Sequence, residues 1–411
     1  MSHRPAIAFL SALLASFAAS PEPPTPAQEP VRVLFVGNSY TYFNNLPALV
    51  SAMAEARGQV LETEMVAPGG WRLKDHFEKG EARALLRDWS WNHVVLQEQS
   101  TLGTNLVIDG LPRIAGDEVF RPWAEKWLAE IASAGAKPVF YLTWARKASP
   151  EDQATLTRSA LGVANPAHAA VAPVGPAFAL VRETRPALEL FIEDGSHPSP
   201  AGSYLAACTL YATLFQASPV GPPAKLSGPP VDLETGLVRD GEVAVLVDLG
   251  GDDARFLQEA AWRAIQELEK ERSAPSPPPE SPALPPLPRT EPLTEAALGG
   301  TWSGTLAFSP TGPAAMTLEL RPPAAKDGRW SGVVRIEFHS RDVMDLSLEL
   351  ADLAVEDDRL SFSVPKVAFG LDANLRGVLS ARELDGRAEA LREDGDMTLR
   401  VLGSWRLRRT P

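Results

Sequence analysis

The segment from Pro275 to Pro288 limits what this chain can fold into, because it contains eight prolines in fourteen residues. Proline has no backbone N–H to donate, so such a stretch forms neither helix nor sheet and acts as an extended spacer. We therefore predict a Pro-rich linker at 273–290 between a first domain at 31–272 and a second domain at 291–411. A chain of 411 residues with 45% apolar side chains is long enough for both domains.

The first twenty residues have the features of a secretory signal peptide. Arg4 gives a positive start, and residues 6–19 form an apolar stretch that is too short for a stable membrane anchor. We expect 1–20 to be a signal peptide, 21–30 to be a Pro-rich leader, and the protein to be exported to the periplasm or the extracellular space. A buried N-terminal helix is the alternative. No cysteine directly follows the apolar stretch, so we expect no lipid anchor, and no later apolar run is long enough to span a bilayer, so we expect no membrane anchor.

Charge, cysteine content and missing motifs exclude several classes of protein. The formal net charge is −13, from 52 acidic and 39 basic side chains, so we expect no nucleic-acid partner. The single cysteine, Cys208, lies in an apolar segment, which predicts a small buried side chain rather than a nucleophile. H-E-x-x-H, Cys/His and G-x-G-x-x-G patterns are absent from the sequence, so we expect no metal and no other cofactor. The sequence leaves the oligomeric state open.

Apolar strands and amphipathic helices alternate along the first domain. Short β-branched runs predict buried strands at 31–36, 60–66, 93–97, 137–144 and 168–174. Helical spacing predicts helices at 45–56, 117–134 and 254–271, whereas residues 221–250 follow no regular pattern. Strands separated by helices imply an α/β fold, with a central parallel sheet between two layers of helices.

The second domain has a different pattern. Its short alternating segments are separated by Gly, Pro and Asp turns, which predicts an antiparallel sheet curled into a β-barrel or β-sandwich. The opening TWSG at 301–304 and the closing SWRL at 404–407 could bring two tryptophans together where the sheet closes. The domain contains no catalytic pattern, and a role in binding carbohydrate or protein stays open.

A serine follows the first predicted strand in the sequence GNSYT, residues 37–41. This position lies at the carboxyl edge of a parallel sheet, where open α/β folds place their sites. A helix N-terminus nearby would stabilise developing negative charge. Ser39 is therefore a candidate nucleophile, although a serine in such a loop more often caps the helix.

A second candidate block is DGSHPSPAG, residues 194–202, which precedes a helical segment. Asp194 and His197 are three residues apart on one loop, so the carboxylate can accept the imidazole Nδ1–H. That arrangement leaves Nε2 free to act as a general base. The same spacing also occurs often by chance.

Two further blocks end at the same edge of the predicted sheet. APGG at 67–70 follows the second strand, and LQEQS at 96–100 ends the third. The amide of Gly70 and a carboxamide from Gln97 or Gln99 are suitable donors to a tetrahedral oxyanion. Alternatively, these residues form a simple turn and an ordinary polar strand end.

Trp71, Trp144 and Arg146 follow the second and fourth predicted strands. We regard them as candidates for lining the substrate cleft, where a tryptophan ring could stack on a sugar. Packing of the two rings against a loop is an equally good interpretation. His76 could also line the site, although a solvated helix face fits its surroundings better.

Together these blocks resemble the SGNH/GDSL hydrolase superfamily over the whole first domain. Serine, glycine, amide and Asp-x-x-His blocks occur in the order of that family, and GNSYT, VVLQEQS and TWAR are similar to a branch with G-N-S-[FY]-T and V-V-L-Q-x-Q-S blocks. The resemblance implies a flavodoxin-like three-layer sandwich. It also implies Ser39 as nucleophile, His197 as general base and Asp194 as the orienting carboxylate.

The resemblance further implies an oxyanion hole made of the backbone amides of Ser39 and Gly70 and one carboxamide. Two positions depart from the family pattern: Asn38 replaces its usual Asp, and glutamine occupies the stretch of its third-block Asn. We expect Gln97, in preference to Gln99, to complete the hole.

The function implied by the resemblance is a secreted serine esterase. Its expected substrate is a small-molecule or glycan ester, such as an O-acetyl group on a carbohydrate, and it works through an acyl-enzyme. Two alternatives remain. One is a non-catalytic secreted carbohydrate-binding protein on the same fold, and the other is a lipid esterase or thioesterase.

Overall fold

The computed structural model describes residues 29–104 and 106–272, followed by 298–309, 312–323, 329–338, 345–350, 352–356, 359–367, 371–380, 383–394 and 397–410. The predicted signal peptide at 1–20, nearly all of the leader at 21–30 and the linker at 273–290 lie outside these residues. None of the helices within the described ranges is long and apolar enough to cross a bilayer.

The elements of the first domain alternate along the chain. Its strands are β1 (Val31–Val36), β2 (Leu61–Val66), β3 (His93–Leu96), β4 (Leu106–Ile108), β5 (Leu111–Arg113), β6 (Lys137–Tyr141), β7 (Ala170–Ala172), β8 (Lys225–Gly228) and β9 (Ala244–Asp248). Its α-helices are α1 (Ser39–Tyr42), α2 (Leu46–Glu55), α3 (Leu73–Lys79), α4 (Glu81–Asp88), α5 (Phe120–Ser133), α6 (Gln153–Ala164), α7 (Val174–Thr184), α8 (Pro200–Phe215) and α9 (Gly251–Arg272). Short 3-10 turns lie at Phe43–Asn45 and Pro150–Asp152.

Five of these strands form a parallel sheet in the order β2-β1-β3-β6-β7. Side chains of β1 alternate between two cores, because successive residues of a strand point to opposite faces. Val33 and Phe35 pack with α2, α7, α8 and α9, whereas Leu34 and Val36 pack with α3, α4, α5 and α6. The predicted α/β fold with helices on both faces of a parallel sheet is confirmed.

The strand order places a crevice beside the first strand. From β1 the chain moves outward to β2 and then crosses back to β3 on the other side of β1. The segments that follow β1 and β3 therefore leave the sheet in opposite directions, and open α/β sheets bind ligands at such a point. Residues 221–250, which the sequence pattern left unassigned, contain the antiparallel pair β8–β9.

The second domain is an antiparallel sheet. Its strands, in the order β13-β12-β11-β10-β18-β17-β16-β15-β14, are β10 (Gly300–Ser309), β11 (Gly312–Arg321), β12 (Ser331–Glu337), β13 (Leu346–Glu349), β14 (Ala354–Glu356), β15 (Arg359–Val367), β16 (Leu371–Ser380), β17 (Glu383–Asp394) and β18 (Met397–Arg409). Alternate side chains from most of these strands meet in one buried cluster, so the sheet curls around a single core. This confirms the predicted curled antiparallel sheet.

The strands of this sheet that come first and last in the chain, β10 and β18, are paired with each other. Trp302 lies opposite Arg409 and Trp405 lies opposite Leu306 in this register, so the two tryptophans are not cross-strand neighbours. Both rings are buried in the same core. The expectation that they meet where the sheet closes is therefore only partly met.

A hairpin of the first domain extends the sheet of the second. Strand β4 pairs with β5 and also runs parallel to β18, with Leu106 opposite Arg400 and Ile108 opposite Leu402. Asp109 and Gly110 form the turn with φ of 50° and 80°, as a two-residue hairpin turn requires. Sequence analysis missed this hairpin, although a D-G pair between apolar residues is its usual signal.

Cross-linking can test the register between β4 and β18. Ile108 and Leu402 are paired and share a small apolar cluster with Leu106, so cysteines at 108 and 402 should form a disulfide under mild oxidation. The native Cys208 is buried and will not compete. We expect a shift in mobility on non-reducing electrophoresis that thiol reduction reverses.

The matched control pairs Val107→Cys with Leu402→Cys. Because neighbouring residues of a strand point to opposite faces, that pair should remain reduced. Equal cross-linking of the two variants would contradict the register.

Candidate active site

Ser39 lies at the start of α1, directly after β1 and at the carboxyl edge of the sheet. Asn38 is the N-cap of this helix, and its Oδ1 accepts a hydrogen bond from the backbone N–H of Tyr40. The serine itself is therefore not needed as a cap, and its hydroxyl is available for another partner. The first backbone amides of a helix have no intrahelical acceptor, so the N–H of Ser39 is also available.

The structure brings Ser39, His197 and Asp194 together from positions 158 residues apart in the chain. Ser39 Oγ and His197 Nε2 are 2.8 Å apart, and His197 Nδ1 is 2.5 Å from Asp194 Oδ2. The second carboxylate oxygen, Oδ1, accepts the backbone N–H groups of Ser196 at 2.8 Å and His197 at 2.9 Å. This is the hydrogen-bond order that a nucleophile, a base and an orienting acid require.

The carboxyl of Asp194 is held in its ionised form. Partial burial acts to raise its pKa, but the hydrogen bonds from the His197 side chain and from two backbone amides outweigh that effect and lower the pKa. An ionised carboxylate can only accept, so the proton shared with Nδ1 belongs to the imidazole. In the neutral ring Nε2 is then the nitrogen without a proton, and it faces Ser39.

Aromatic rings fix the plane of the imidazole. Phe43 stacks on His197 with ring centroids 4.3 Å apart, and Tyr40 meets it edge-on at 5.6 Å. Trp144 stacks on the ring of Tyr40 with ring centroids 4.5 Å apart, and its Nε1 donates to the backbone oxygen of Ser196. Trp144 is 1% exposed and is not among the residues that line the cavity beside Ser39 and His197, so its expected role in a substrate cleft is wrong.

Gln97 holds the turn that carries the nucleophile. Its Oε1 accepts from the backbone N–H of Asn38 at 2.8 Å and from the hydroxyl of Thr41 at 2.9 Å. Its Nε2 donates to Asn38 Oδ1 and to the backbone oxygen of Glu98. A Cβ at Gly37 would lie 2.3 Å from Thr41 Oγ1 and 2.6 Å from Gln97 Oε1, so only glycine fits there.

The assignment of Gln97 to the oxyanion hole therefore does not hold in the structure. Both N–H groups of its amide are used and its side chain is fully buried. Gln99 instead lines the cavity together with Ser39 and Gly70. Its Oε1 accepts from Thr101, while Nε2 lies 3.3 Å from Ser100 Oγ and keeps a second N–H for a ligand. The three expected donors are thus Ser39, Gly70 and Gln99.

His76 takes a structural position that sequence analysis missed. It is 1% exposed, and its Nε2 donates to the backbone oxygen of Gly37 at 2.7 Å. Burial lowers the pKa of His76 to about 4, so the ring is neutral near pH 7. The solvated helix face expected for His76 is therefore wrong, and its ring instead supports the turn before Ser39.

Glu98 lies between the two glutamines and is almost fully buried. Its carboxylate accepts the backbone N–H of Gln99 at 2.6 Å and that of Leu73 at 3.3 Å. Burial raises the pKa of Glu98 to about 7 in spite of these two bonds. The side chain thus links the strand end that carries Gln99 to the first turn of α3.

These groups surround a cavity of about 390 Å³. The described residues that line it are Asn38, Ser39, Tyr40, Tyr42, Phe43, Gly69, Gly70, Gln99, Ser100, Arg146, Ser196, His197 and Leu233. Arg146 lies in the wall of this cavity. Trp71 is not among the lining residues; its ring meets His76 edge-on, and its backbone oxygen accepts from Asn38 Nδ2.

No group of three or more potential metal ligands occurs in the part of the chain that is described.

Replacing Gln97 by leucine should destabilise the protein by at least about 2 kcal/mol. The change leaves the amide of Asn38 and the hydroxyl of Thr41 buried without their acceptor, and unsatisfied buried groups are costly. Chemical denaturation will measure the free energy of unfolding. The exposed Gln266→Leu variant is the control and should stay within about 0.5 kcal/mol of wild type. Equal stability of the two variants would contradict the role given to Gln97.

Glu98 should make stability fall as the pH rises. Between pH 4.5 and about 7 an unfolded chain has lost the carboxyl proton that the folded chain keeps. Ionisation therefore favours the unfolded state, by up to about 3 kcal/mol once the pH exceeds 7. The decrease in unfolding free energy from pH 5 to pH 8 should be smaller in Glu98→Gln than in wild type. Exposed Glu125→Gln should leave the decrease unchanged, and an unchanged decrease in Glu98→Gln would refute the assignment.

No family model matches the chain, and no curated protein is significantly similar to it in sequence. Solved structures match part of the chain. A DUF4886 family protein from Bacteroides uniformis matches with 18% identity and a TM-score of 0.42, over 59% of this chain and 96% of its own.

Two further structures match over a smaller share of the chain. TesA has 18% identity and a TM-score of 0.36, over 44% of this chain and 97% of its own. A catalytic mutant of the acetylxylan esterase Axe2 from Geobacillus stearothermophilus has 14% identity and a TM-score of 0.36, over 45% and 94%. The structures similar to this chain thus include acetylxylan esterases. Similarity at this level assigns no activity, so the case for one depends on the geometry of the site.

Proposed function

We propose that the protein is a serine ester hydrolase of the SGNH/GDSL type. The observation that carries the proposal is the continuous hydrogen-bonded series from Ser39 Oγ through His197 to Asp194 at the edge of a cavity. A serine hydroxyl is a weak nucleophile until a base removes its proton, and this series supplies that base in the correct tautomer.

The reaction begins with attack of Ser39 Oγ on the ester carbonyl carbon, while the hydroxyl proton passes to His197 Nε2. The carbonyl oxygen becomes an oxyanion, which accepts hydrogen bonds from the backbone N–H groups of Ser39 and Gly70 and from Gln99 Nε2. The bond to the alcohol oxygen then breaks, and His197 returns the proton to that oxygen. The alcohol leaves, and the acyl group remains on Ser39.

Water completes the cycle by the same route. His197 Nε2 accepts a proton from the water as its oxygen attacks the acyl carbon, and the oxyanion forms again in the same hole. Collapse of this intermediate returns the proton to Ser39 Oγ and releases the carboxylic acid. Through both halves Asp194 holds the ring orientation and stabilises the imidazolium that forms.

The composition of the cavity supports a polar alcohol such as a sugar. Tyr42 and Phe43 line the cavity with aromatic rings, while Gln99, Ser100 and Arg146 contribute polar side chains to it. Sugar rings combine an apolar face with hydroxyl groups and bind best to such mixed surfaces. The proposed substrate is an O-acyl ester, such as an O-acetyl ester, on a carbohydrate. The proposed location is outside the cytoplasm, because residues 1–20 have the sequence features of a signal peptide.

Substitution of the nucleophile tests the hydrolase directly. Wild type should react covalently with a fluorophosphonate probe and hydrolyse 4-nitrophenyl acetate, whereas Ser39→Ala should do neither and lose about 10⁴-fold or more in kcat. Ser133→Ala, on the exposed face of α5, is the control and should behave as wild type. Labelling of Ser39→Ala as strong as that of wild type would overturn the proposal.

The same assay separates the alternatives. A series of 4-nitrophenyl esters with two to twelve acyl carbons should give the highest kcat/KM at two carbons. Activity that rises with chain length would instead identify a lipid esterase or thioesterase. Absence of both labelling and hydrolysis in folded wild type would leave a carbohydrate-binding protein as the interpretation.

A further inference from the structure

Arg146 lies in the wall of the cavity that contains Ser39 and His197. Its Nη2 donates to the hydroxyl of Ser100 at 3.0 Å, and the same hydroxyl lies 3.3 Å from Gln99 Nε2. A single hydroxyl thus connects the guanidinium to the carboxamide of the proposed oxyanion hole. An anion bound at Arg146 would lie beside the reacting ester, within the same cavity.

The guanidinium of Arg146 has no carboxylate partner within 4.0 Å among the described residues. Its Nε is buried and makes no hydrogen bond to any of them. Three other partly buried arginines of this domain each bind a carboxylate: Arg72 with Asp75, Arg83 with Glu130, and Arg113 with Asp152. A guanidinium that has lost part of its hydration is stabilised by an anion. The described residues supply none at Arg146 or at Arg158, and of these two arginines only Arg146 lines the cavity.

The surroundings of Arg146 favour an anion from outside. None of the other described residues that line the cavity is acidic, although the whole chain has a formal net charge of −13. The wall near Arg146 contains the hydroxyl of Ser100, which can donate to an oxygen that approaches the guanidinium. A planar guanidinium binds a carboxylate through two parallel hydrogen bonds, a geometry that also fixes the orientation of the ligand.

We propose that Arg146 and Ser100 form a subsite for a carboxylate of the substrate, so that the preferred ester belongs to an acidic molecule. The inference rests on the proposed ester hydrolysis and adds the charge of the substrate to it. The carboxylate can belong to the alcohol, as in an O-acetylated uronic acid, or to the acyl group, as in a half-ester of a dicarboxylic acid. In either case it anchors the substrate while Ser39 attacks the ester.

Two matched pairs of substrates test the subsite. On the alcohol side, release of acetate from an O-acetylated methyl glucuronoside is compared between its free acid and its methyl ester. On the acyl side, monophenyl adipate is compared with phenyl hexanoate. Wild type should have a kcat/KM at least about tenfold higher for the acid in one pair, as charge-assisted hydrogen bonds of this kind provide. The pair that responds identifies which half of the substrate carries the carboxylate.

Substitution of Arg146 tests whether the subsite causes the preference for the acidic ester. Arg146→Gln should bring the ratio of acid to neutral kcat/KM close to one, and Arg146→Lys should keep part of it. Arg158→Gln is the matched control, because Arg158 is also partly buried with an unpartnered Nε but lies on α6 outside the lining of the cavity. It should keep the wild-type ratio.

The possible results are distinguishable. Equal kcat/KM for acid and neutral esters in wild type, or a preference that survives Arg146→Gln, overturns the subsite and leaves the hydrolase standing. An equal loss on acid and neutral esters in Arg146→Gln also overturns it, because Arg146 would then act on the oxyanion. Failure of wild type to hydrolyse any ester or to react with the fluorophosphonate probe removes the proposed function, and the subsite with it.

Discussion

Gln97 lies at the end of β3 without exposed surface, and its carboxamide makes hydrogen bonds to three atoms of the turn that carries Ser39. The strand order makes this contact possible, since β1 and β3 are neighbours although helices and another strand separate them in the chain. A buried amide with all its hydrogen bonds formed allows one geometry for the turn, because any other leaves polar atoms unsatisfied. The position of the candidate nucleophile depends on that constraint.

The opposite wall of the site depends on aromatic packing. The loop of residues 194–197 carries the base, and the side chain of Asp194 is 42% exposed. Tyr40, Trp144 and Phe178 form a stack below this loop, while Phe43 covers the imidazole from the side. Rings lose little conformational entropy on packing, so such a stack can hold a surface loop rigidly. The base and the nucleophile are thus positioned by different kinds of force.

The loop between these walls leads to a hairpin that pairs with the sheet of the second domain. Gln99 Oε1 accepts the backbone N–H of Thr101 at 2.7 Å. The hydroxyl of Thr101 lies 2.7 Å from the same oxygen and 2.8 Å from the backbone oxygen of Thr104, and its one proton serves either acceptor. Strand β4 begins two residues later and pairs with β18 of the antiparallel sheet. The segment that presents Gln99 and Ser100 to the cavity is therefore fixed at one end by the parallel sheet and at the other by the second domain.

The sequence by itself determined the α/β class, the curled antiparallel sheet and the four blocks that meet at the site. Those features follow from local periodicity and from the rule that parallel strands end at one edge. Only the tertiary structure decided between Gln97 and Gln99. It also placed Trp144 and His76 in the interior and paired the hairpin β4–β5 with the second sheet. Each of these outcomes depends on which groups satisfy one another across long separations in the chain, such as the 59 residues between Asn38 and Gln97. Residue spacing describes neighbours along the chain, whereas burial and hydrogen-bond partners are properties of the packed fold.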